Sequence, residues 1–250
     1  MKNSSDKDLK KGIKEFMETA PAIYMPGLSL DAVIFGFHDD KLKVLLLRFT
    51  DTAYFTLPGG FIKKDEALDD AAMRIVQERT GLKNIYLEQF YTSGRLDRAS
   101  KFARELLEQL IGDIPQKNWF EQRFISICYY ALIDDTKVNP ITEFFFTEFK
   151  WFDVKKLPKL LYDHQLIIEK ALSRLQADLD EKLVAFNLMS ETFTMAQLQK
   201  LYEAVYQKKF VRTNFQRKIL AMNVLERLEK QYTGKAHKAP FLYRFAENKK

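Results

Sequence analysis

The stretch from Leu57 to Leu82, LPGGFIKKDEALDDAAMRIVQERTGL, constrains the fold of this chain more than any other. Gly59 and Gly60 lack a Cβ, so the backbone there is expected to turn through positive φ and to come close to a ligand. Asp65 is placed to cap the helix that follows, with Glu66 in its first turn, where a carboxylate suits the positive end of the helix dipole. The helix is predicted to run to Thr80. Gly81 then falls where a left-handed residue closes a helix, and Leu82 supplies the apolar contact that often follows.

The same residues resemble the Nudix box, G-x5-E-x7-R-E-U-x-E-E-x-G-U, where U is aliphatic. Gly60, Glu66, Arg74, Val76, Glu78, Gly81 and Leu82 fall on that pattern, while Ile75 and Arg79 stand where the family has its first and last metal-binding glutamates. Positions 75, 78 and 79 share one helix face. In an active hydrolase that face would carry three carboxylates, the hard oxygen ligands that hold Mg²⁺ against substrate phosphates. Here it carries an apolar group, a carboxylate and a guanidinium, with local charge about zero, and Arg79 would repel a cation. The resemblance therefore predicts the fold and speaks against hydrolysis: no catalytic residue, no metal and no cofactor is expected.

A chain of 250 residues can bury a substantial core as one large domain or two smaller ones. The single cysteine, Cys128, rules out an internal disulfide framework and points to a reducing, cytoplasmic compartment; it falls in a strand-like run and is expected to be buried. The start of the chain is polar and charged rather than a secretory signal, and the longest apolar runs are too short to cross a bilayer, so no membrane partner is expected. Charge is unevenly spread. From Lys182 onward there are 14 Lys and Arg against 5 Asp and Glu, a surplus of nine, which leaves the preceding residues at −3 within an overall +6. An acidic front and a basic tail imply two modules with different partners.

Residues 1–27 read as a polar leader with some helical character, punctuated by Pro21 and Pro26 and without an assignable function. Residues 28–178 form the expected effector-binding domain. Runs at Asp31–Phe37 and Lys43–Phe49 flank a turn and predict a hairpin, and further strands are expected in IYLEQFYTSG, RFISICYYALI and FTEFKWFDV. DHQLIIEKALSRLQADL has helical spacing. Mixed strands and helices with short links indicate an α/β or α+β sandwich. Arg98–Arg123 inserts an amphipathic helix, with Phe102, Leu106, Leu107 and Leu110 apolar. It is read first as a surface helix packed on its own domain and, second, as a dimer contact or pocket lid.

Residues 182–250 change character. Thr194 and Gln197 make a capping box, flanked by Phe193 and Leu198 at hydrophobic-staple positions, and Leu198, Leu201, Tyr202 and Val205 form a buried stripe. A turn through Gln207–Phe210 leads to a second helix, capped by Thr213 or Asn214, whose inner stripe is Phe215, Ile219 and Met222. VLERLEKQ and PFLYRF can pair around a tip carrying Lys235, His237 and Lys238. Helix, turn, basic helix and basic-tipped hairpin describe a winged helix. Such a unit reads double-stranded operator DNA: Arg217 or Arg212 can contact guanine, and Asn214 or Gln216 adenine. Arg212, Thr213, Asn214, Gln216, Arg217, Lys218, Lys235, His237 and Lys238 are the DNA-binding candidates, with Lys218, Lys235 and Lys238 cast as phosphate contacts.

The chain as a whole resembles the NrtR-type Nudix-related transcriptional regulators through the box, LEQFYTSGRLDR, ISICYYALI, WFDVKKLPKLLYDHQLIIEKA and AFNLMSETFTMAQLQKLYEAVY. That resemblance implies a Nudix-like α/β/α sandwich followed by a winged helix-turn-helix domain. It also implies a homodimer and a small-molecule effector, either ADP-ribose-like or a sugar such as arabinose. Gly59, Gly60, Arg95 and Asp97 are the expected effector-binding residues. The rival reading is a Mg²⁺-dependent hydrolase of a nucleoside diphosphate derivative that uses Glu66 and Glu78.

Overall fold

The computed structural model describes residues 2–50, 52–83, 85–96, 100–115, 117–133, 146–181, 188–231 and 239–246. The chain divides into two compact units, one of residues 1–34, 44–131 and 137–171, the other of residues 35–43, 132–136 and 172–250.

The first unit is built around a twisted sheet. Strands β1 (Tyr24–His38) and β2 (Lys41–Phe49) are joined by a two-residue turn in which Asp39 and Asp40 both take positive φ, 52° and 58°. That twist suits a tight hairpin, and aspartate tolerates the left-handed region better than most residues. Strands β3 (Phe55–Thr56), β4 (Gly59–Lys63), β5 (Glu88–Ser93), β6 (Ile125–Ile133) and β7 (Phe146–Asp153) complete it in the order β3-β2-β1-β6-β5, with β4 on β1 and β7 on β2. Cys128 is buried in β6.

Gly59 and Gly60 do not form the positive-φ turn expected of them. They lie in β4, paired with Asp31 and Leu30 of β1. Their lack of a Cβ answers a packing demand: a Cβ on Gly59 would come within 2.8 Å of the Leu30 carbonyl. Helix α2 (Leu68–Thr80) packs on the sheet through Ala71, Ala72, Ile75 and Val76. It begins two residues after Glu66. Asp65 does not cap it, because the N-cap is Ala67 without a side-chain bond, and Asp69 and Asp70 supply the first-turn negative charge. Gly81 closes the helix as expected, left-handed at φ 72° with its N–H on the Gln77 carbonyl.

The leader is not a mere tail. Helix α1 (Lys2–Ile23) buries Leu9, Ile13 and Ala20, and Pro21 costs its last turn one backbone hydrogen bond without ending it. Leu9 and Ile13 join one apolar cluster with Leu106, Leu107, Leu110 and Ile111 of α3 (Ser100–Ile111), the helix of the inserted segment. A one-turn 3-10 helix at Trp119–Glu121 follows. There Trp119, with Phe124, packs against Ala20, Phe16, Tyr24 and Phe61.

Helix α4 spans His164–Glu181. Within the second unit, Gln176 donates to the Val205 carbonyl at 2.8 Å and accepts, through its own carbonyl, from Tyr206 Oη at 2.9 Å. Helix α5 (Met195–Tyr206) starts with the expected capping box, Thr194 and Gln197 bonding reciprocally. Gln207 at φ 54° turns the chain into α6 (Arg212–Ala221). The cap expected from Thr213 or Asn214 is absent. The N-cap is Val211, without a side-chain bond, two residues before Thr213 and three before Asn214. Strands β8 (Phe193–Thr194), β9 (Leu225–Lys230) and β10 (Phe241–Phe245) form a small sheet in the order β8-β10-β9. Helix-turn-helix and wing strands are thus arranged as expected; the wing tip lies outside the described residues.

Candidate ligand pocket and nucleic-acid interface

In the first unit a cavity of about 190 Å³ opens between the sheet, α2, and the pair α1 and α3. Much of its wall comes from three places. Gly59, Gly60 and Phe61 come from β4, and Ser29, Leu30 and Asp31 from β1. Arg74, Ile75, Glu78 and Arg79 come from α2. Phe16, Leu106, Leu107 and Phe120 come from the leader helix and the insertion.

Arg74 is the hub of the α2 wall. Its Nε and Nη2 donate to Glu66 at 2.8 and 2.6 Å, Nη2 also to the Phe61 carbonyl at 2.9 Å, and Nη1 to Glu78 at 3.0 Å. Glu66 in turn accepts from the Lys63 N–H at 2.7 Å. The Arg74 hydrogen bonds and that N–H hold the Glu66 carboxyl below the usual carboxylate range. Glu66 thereby acts as a clasp, tying the loop before α2 to the helix itself. Ile75 lies 1% exposed beneath Gly60. Arg79 donates from Nε to the Gly59 carbonyl at 3.2 Å, and its guanidinium carbon sits 5.2 Å from the centre of the Phe146 ring.

The cavity floor holds a buried polar chain. The Leu57 N–H donates to His164 Nδ1 at 3.1 Å, which in the neutral ring leaves the proton on Nε2, 3.4 Å from Asp31 Oδ1. Asp31 Oδ2 accepts from Ser126 Oγ at 2.5 Å. Ser29 Oγ, also on the cavity wall, has no hydrogen-bond partner among the described residues. A ligand oxygen or N–H at that wall would supply one.

Of the residues expected to meet an effector, Gly59 and Gly60 line this cavity. Arg95 is exposed beyond the end of β5 and is not among the lining residues, and Asp97 lies outside the described residues. Sequence reasoning did not place Phe16, Phe120 or Ser29 in a pocket. It treated Arg79 as a lost glutamate rather than as a wall residue.

In the second unit, Phe215 and Ile219 turn one face of α6 inward against Tyr202 of α5, with ring centres 5.1 Å apart for Tyr202 and Phe215. The opposite face presents Arg212, Thr213, Asn214, Arg217 and Lys218, all exposed, with Gln216 half-buried beside them. Arg227 and Lys230 on β9 lie over the Phe241 ring at 4.5 and 5.3 Å, which adds positive charge to the wing strands. Lys235, His237 and Lys238 lie outside the described residues.

Residues 27–175 match the family model for the NUDIX domain. The chain belongs to the Nudix family. Residues 185–245 match the model for the NrtR DNA-binding winged helix domain, so the second unit carries an NrtR-type winged helix downstream of the Nudix domain. The crystal structure of Shewanella oneidensis NrtR superposes with a TM-score of 0.63 at 26% identity, covering 89% of this chain and 95% of that one. The same protein complexed with a 27mer DNA gives 0.62 at 26%, covering 88% and 93%. An ADPR responsive transcriptional repressor, NtrR, of Acinetobacter baylyi is 25% identical over 228 residues, 88% of this chain and 82% of its own length. An ADP-ribose pyrophosphatase of Methanocaldococcus jannaschii is 27% identical over 150 residues, 58% of this chain and 72% of its own. Among the described residues no helix is long and apolar enough to cross a membrane.

Proposed function

We propose that this Nudix-family chain is an effector-responsive, DNA-binding transcriptional regulator. Residues 28–178 form the effector-binding domain and residues 182–250 the DNA-binding domain. It works in the cytoplasm as a homodimer, reading two half-sites about one helical turn apart. The observation that carries this reading is the exposed polar and basic face of α6 on an NrtR-type winged helix, Arg212, Asn214, Arg217 and Lys218 beside a buried Phe215 and Ile219.

The effector is a nucleotide of ADP-ribose type, bound in the Nudix cavity. Aromatic walls at Phe16, Phe61 and Phe120 suit a base, and Ser29 Oγ and Arg79 suit the polar remainder. The Acinetobacter relative is named for a response to ADPR, which favours the nucleotide over a bare sugar. The effector shifts the regulator by its different affinity for the DNA-competent and DNA-released arrangements, a coupling of about 1–3 kcal/mol.

Fluorescence anisotropy with duplex DNA from the chain's own upstream region tests the reading. Binding should weaken steeply with salt as phosphate contacts release counterions, and ADP-ribose should change the affinity about tenfold. Absence of binding at low salt ends it.

The similarity to an ADP-ribose pyrophosphatase supports one alternative, a Mg²⁺-dependent hydrolase using Glu66 and Glu78. Turnover of ADP-ribose with Mg²⁺ that is abolished by Glu78→Gln would establish it. Against it stand Ile75 and Arg79 on the face where the metal ligands belong, and the engagement of both glutamates by Arg74.

A further inference from the structure

Strand β9 carries Arg227 and Lys230, three residues apart, and strict alternation along a strand would send them to opposite faces of the wing sheet. The register against β10 prevents that. Arg227 stands opposite Tyr243 and Lys230 opposite Phe241, so a step of three residues on β9 matches a step of two on β10. The extra residue makes a β-bulge, which re-aims the side chains around it and brings both cations to one face. There they converge on a single ring, with Arg227 Cζ 4.5 Å and Lys230 Nζ 5.3 Å from the centre of half-buried Phe241. The next cross-strand pair, Glu226 and Arg244, is self-compensated, with Arg244 Nε donating to Glu226 at 2.7 Å. Among the described residues Arg227 and Lys230 have no such carboxylate partner, and exposed Glu229 in the bulge bonds to neither.

We propose that Arg227 and Lys230, aligned by the bulge on Phe241, form a phosphate-binding pair on the body of the wing, a contact with the DNA backbone additional to α6 and to the tip residues Lys235, His237 and Lys238. Two like charges gathered on one face repel each other until an anion joins them, so the bulge works against folding unless the pair meets a partner of opposite sign. Phosphate matches the chemistry of both groups. A guanidinium presents a planar fork of donors to two phosphate oxygens, and an ammonium adds a compact charge with three donors. Contact with the face of Phe241 holds each side chain by its cationic end and leaves the in-plane donors of the guanidinium for the anion. Such a pair carries no sequence information. It fixes where the protein sits on the duplex, while the side chains of α6 read the bases.

The inference rests on the reading of this chain as a DNA-binding regulator, and one set of anisotropy titrations separates the two. The full chain is titrated against a duplex from its own upstream region and an unrelated duplex of equal length, at several salt concentrations. Arg227→Gln and Lys230→Gln should each reduce the slope of log affinity against log salt by about one, and the double variant by about two, because each phosphate contact releases about one counterion. Both duplexes should lose affinity by the same factor. Exchange of the two cations, Arg227→Lys with Lys230→Arg, should keep the wild-type slope. So should Lys83→Gln, which removes an exposed charge from the first unit. A double glutamine variant with the wild-type slope overturns the proposal and leaves the DNA-binding reading standing. A loss confined to the upstream duplex does the same, since it marks base readers, and so does a slope that falls as far in Lys83→Gln, since it marks net charge alone. Absence of wild-type binding to either duplex at low salt overturns the DNA-binding reading and this proposal together. Should the double glutamine variant not fold by circular dichroism, the single variants and the exchange decide.

Discussion

Ile75 occupies the space that a side chain on Gly60 would need: its Cγ1 lies 3.1 Å from the point where a Cβ would stand. The contact joins β4 to α2 at the centre of the box and shows why the two positions depend on each other. With a glycine opposite, a branched apolar residue can lie flat against the strand, and the cavity beside it keeps its floor.

Gly60→Ala should therefore cost about 1–3 kcal/mol through overpacking. Ile75→Ala removes all three of the atoms that the added methyl would meet, so the double variant should lose less than the sum of the two single ones. Urea unfolding of the four proteins in a double-mutant cycle measures this.

The leader helix should behave as core. Ile13 is fully buried among Leu106, Leu110 and Ile111, and Ile13→Ala should lower stability by about 2–5 kcal/mol. Lys11→Ala, an exposed position two residues away on the same helix, should change it by less than about 0.5 kcal/mol. Chemical denaturation of both variants gives the comparison.

Glu203 pins the turn between α5 and α6. Its carboxylate accepts from Lys209 Nζ at 2.7 Å, Gln199 Nε2 at 3.0 Å and the Phe210 N–H at 3.0 Å, which together depress its pKa to about 2. A depressed folded-state pKa contributes stability that is complete above the ordinary value of 4.5 and disappears as pH falls to about 2. Wild type should exceed Glu203→Gln in thermal midpoint at neutral pH. The difference should close between pH 4.5 and about 2, read from melting curves at stepped pH.

On the reading face, Arg217→Ala should cost about 1–3 kcal/mol on the preferred duplex and relax discrimination at one base pair. Lys218→Ala should weaken all duplexes alike and reduce the salt slope by about one. Anisotropy titrations against the operator and single-base variants at several salt concentrations distinguish the two behaviours.

Local signals were legible where one element contains them whole. The Thr194 and Gln197 capping box, the Gly81 stop and the turn at Asp39 and Asp40 each involve residues within a few positions of one another, and all three appear where the sequence places them. N-caps were legible only when the capping side chain had no competitor. Asp65 was passed over because Glu66 beside it engages Arg74 and the Lys63 N–H, which holds the chain back until Ala67.

The sequence by itself determined the two modules, the charge division between them, the exposed basic face of α6 and the absence of carboxylates at positions 75 and 79. Only the tertiary structure decided what surrounds the cavity. Phe16, Ser29, Arg79, Leu106 and Phe120 are scattered over more than a hundred residues, and no periodicity links them. Helical spacing says which face of α1 is apolar. What that face is buried against depends on α3, the 3-10 turn and β4 closing around it, which are long-range contacts that a local pattern does not encode.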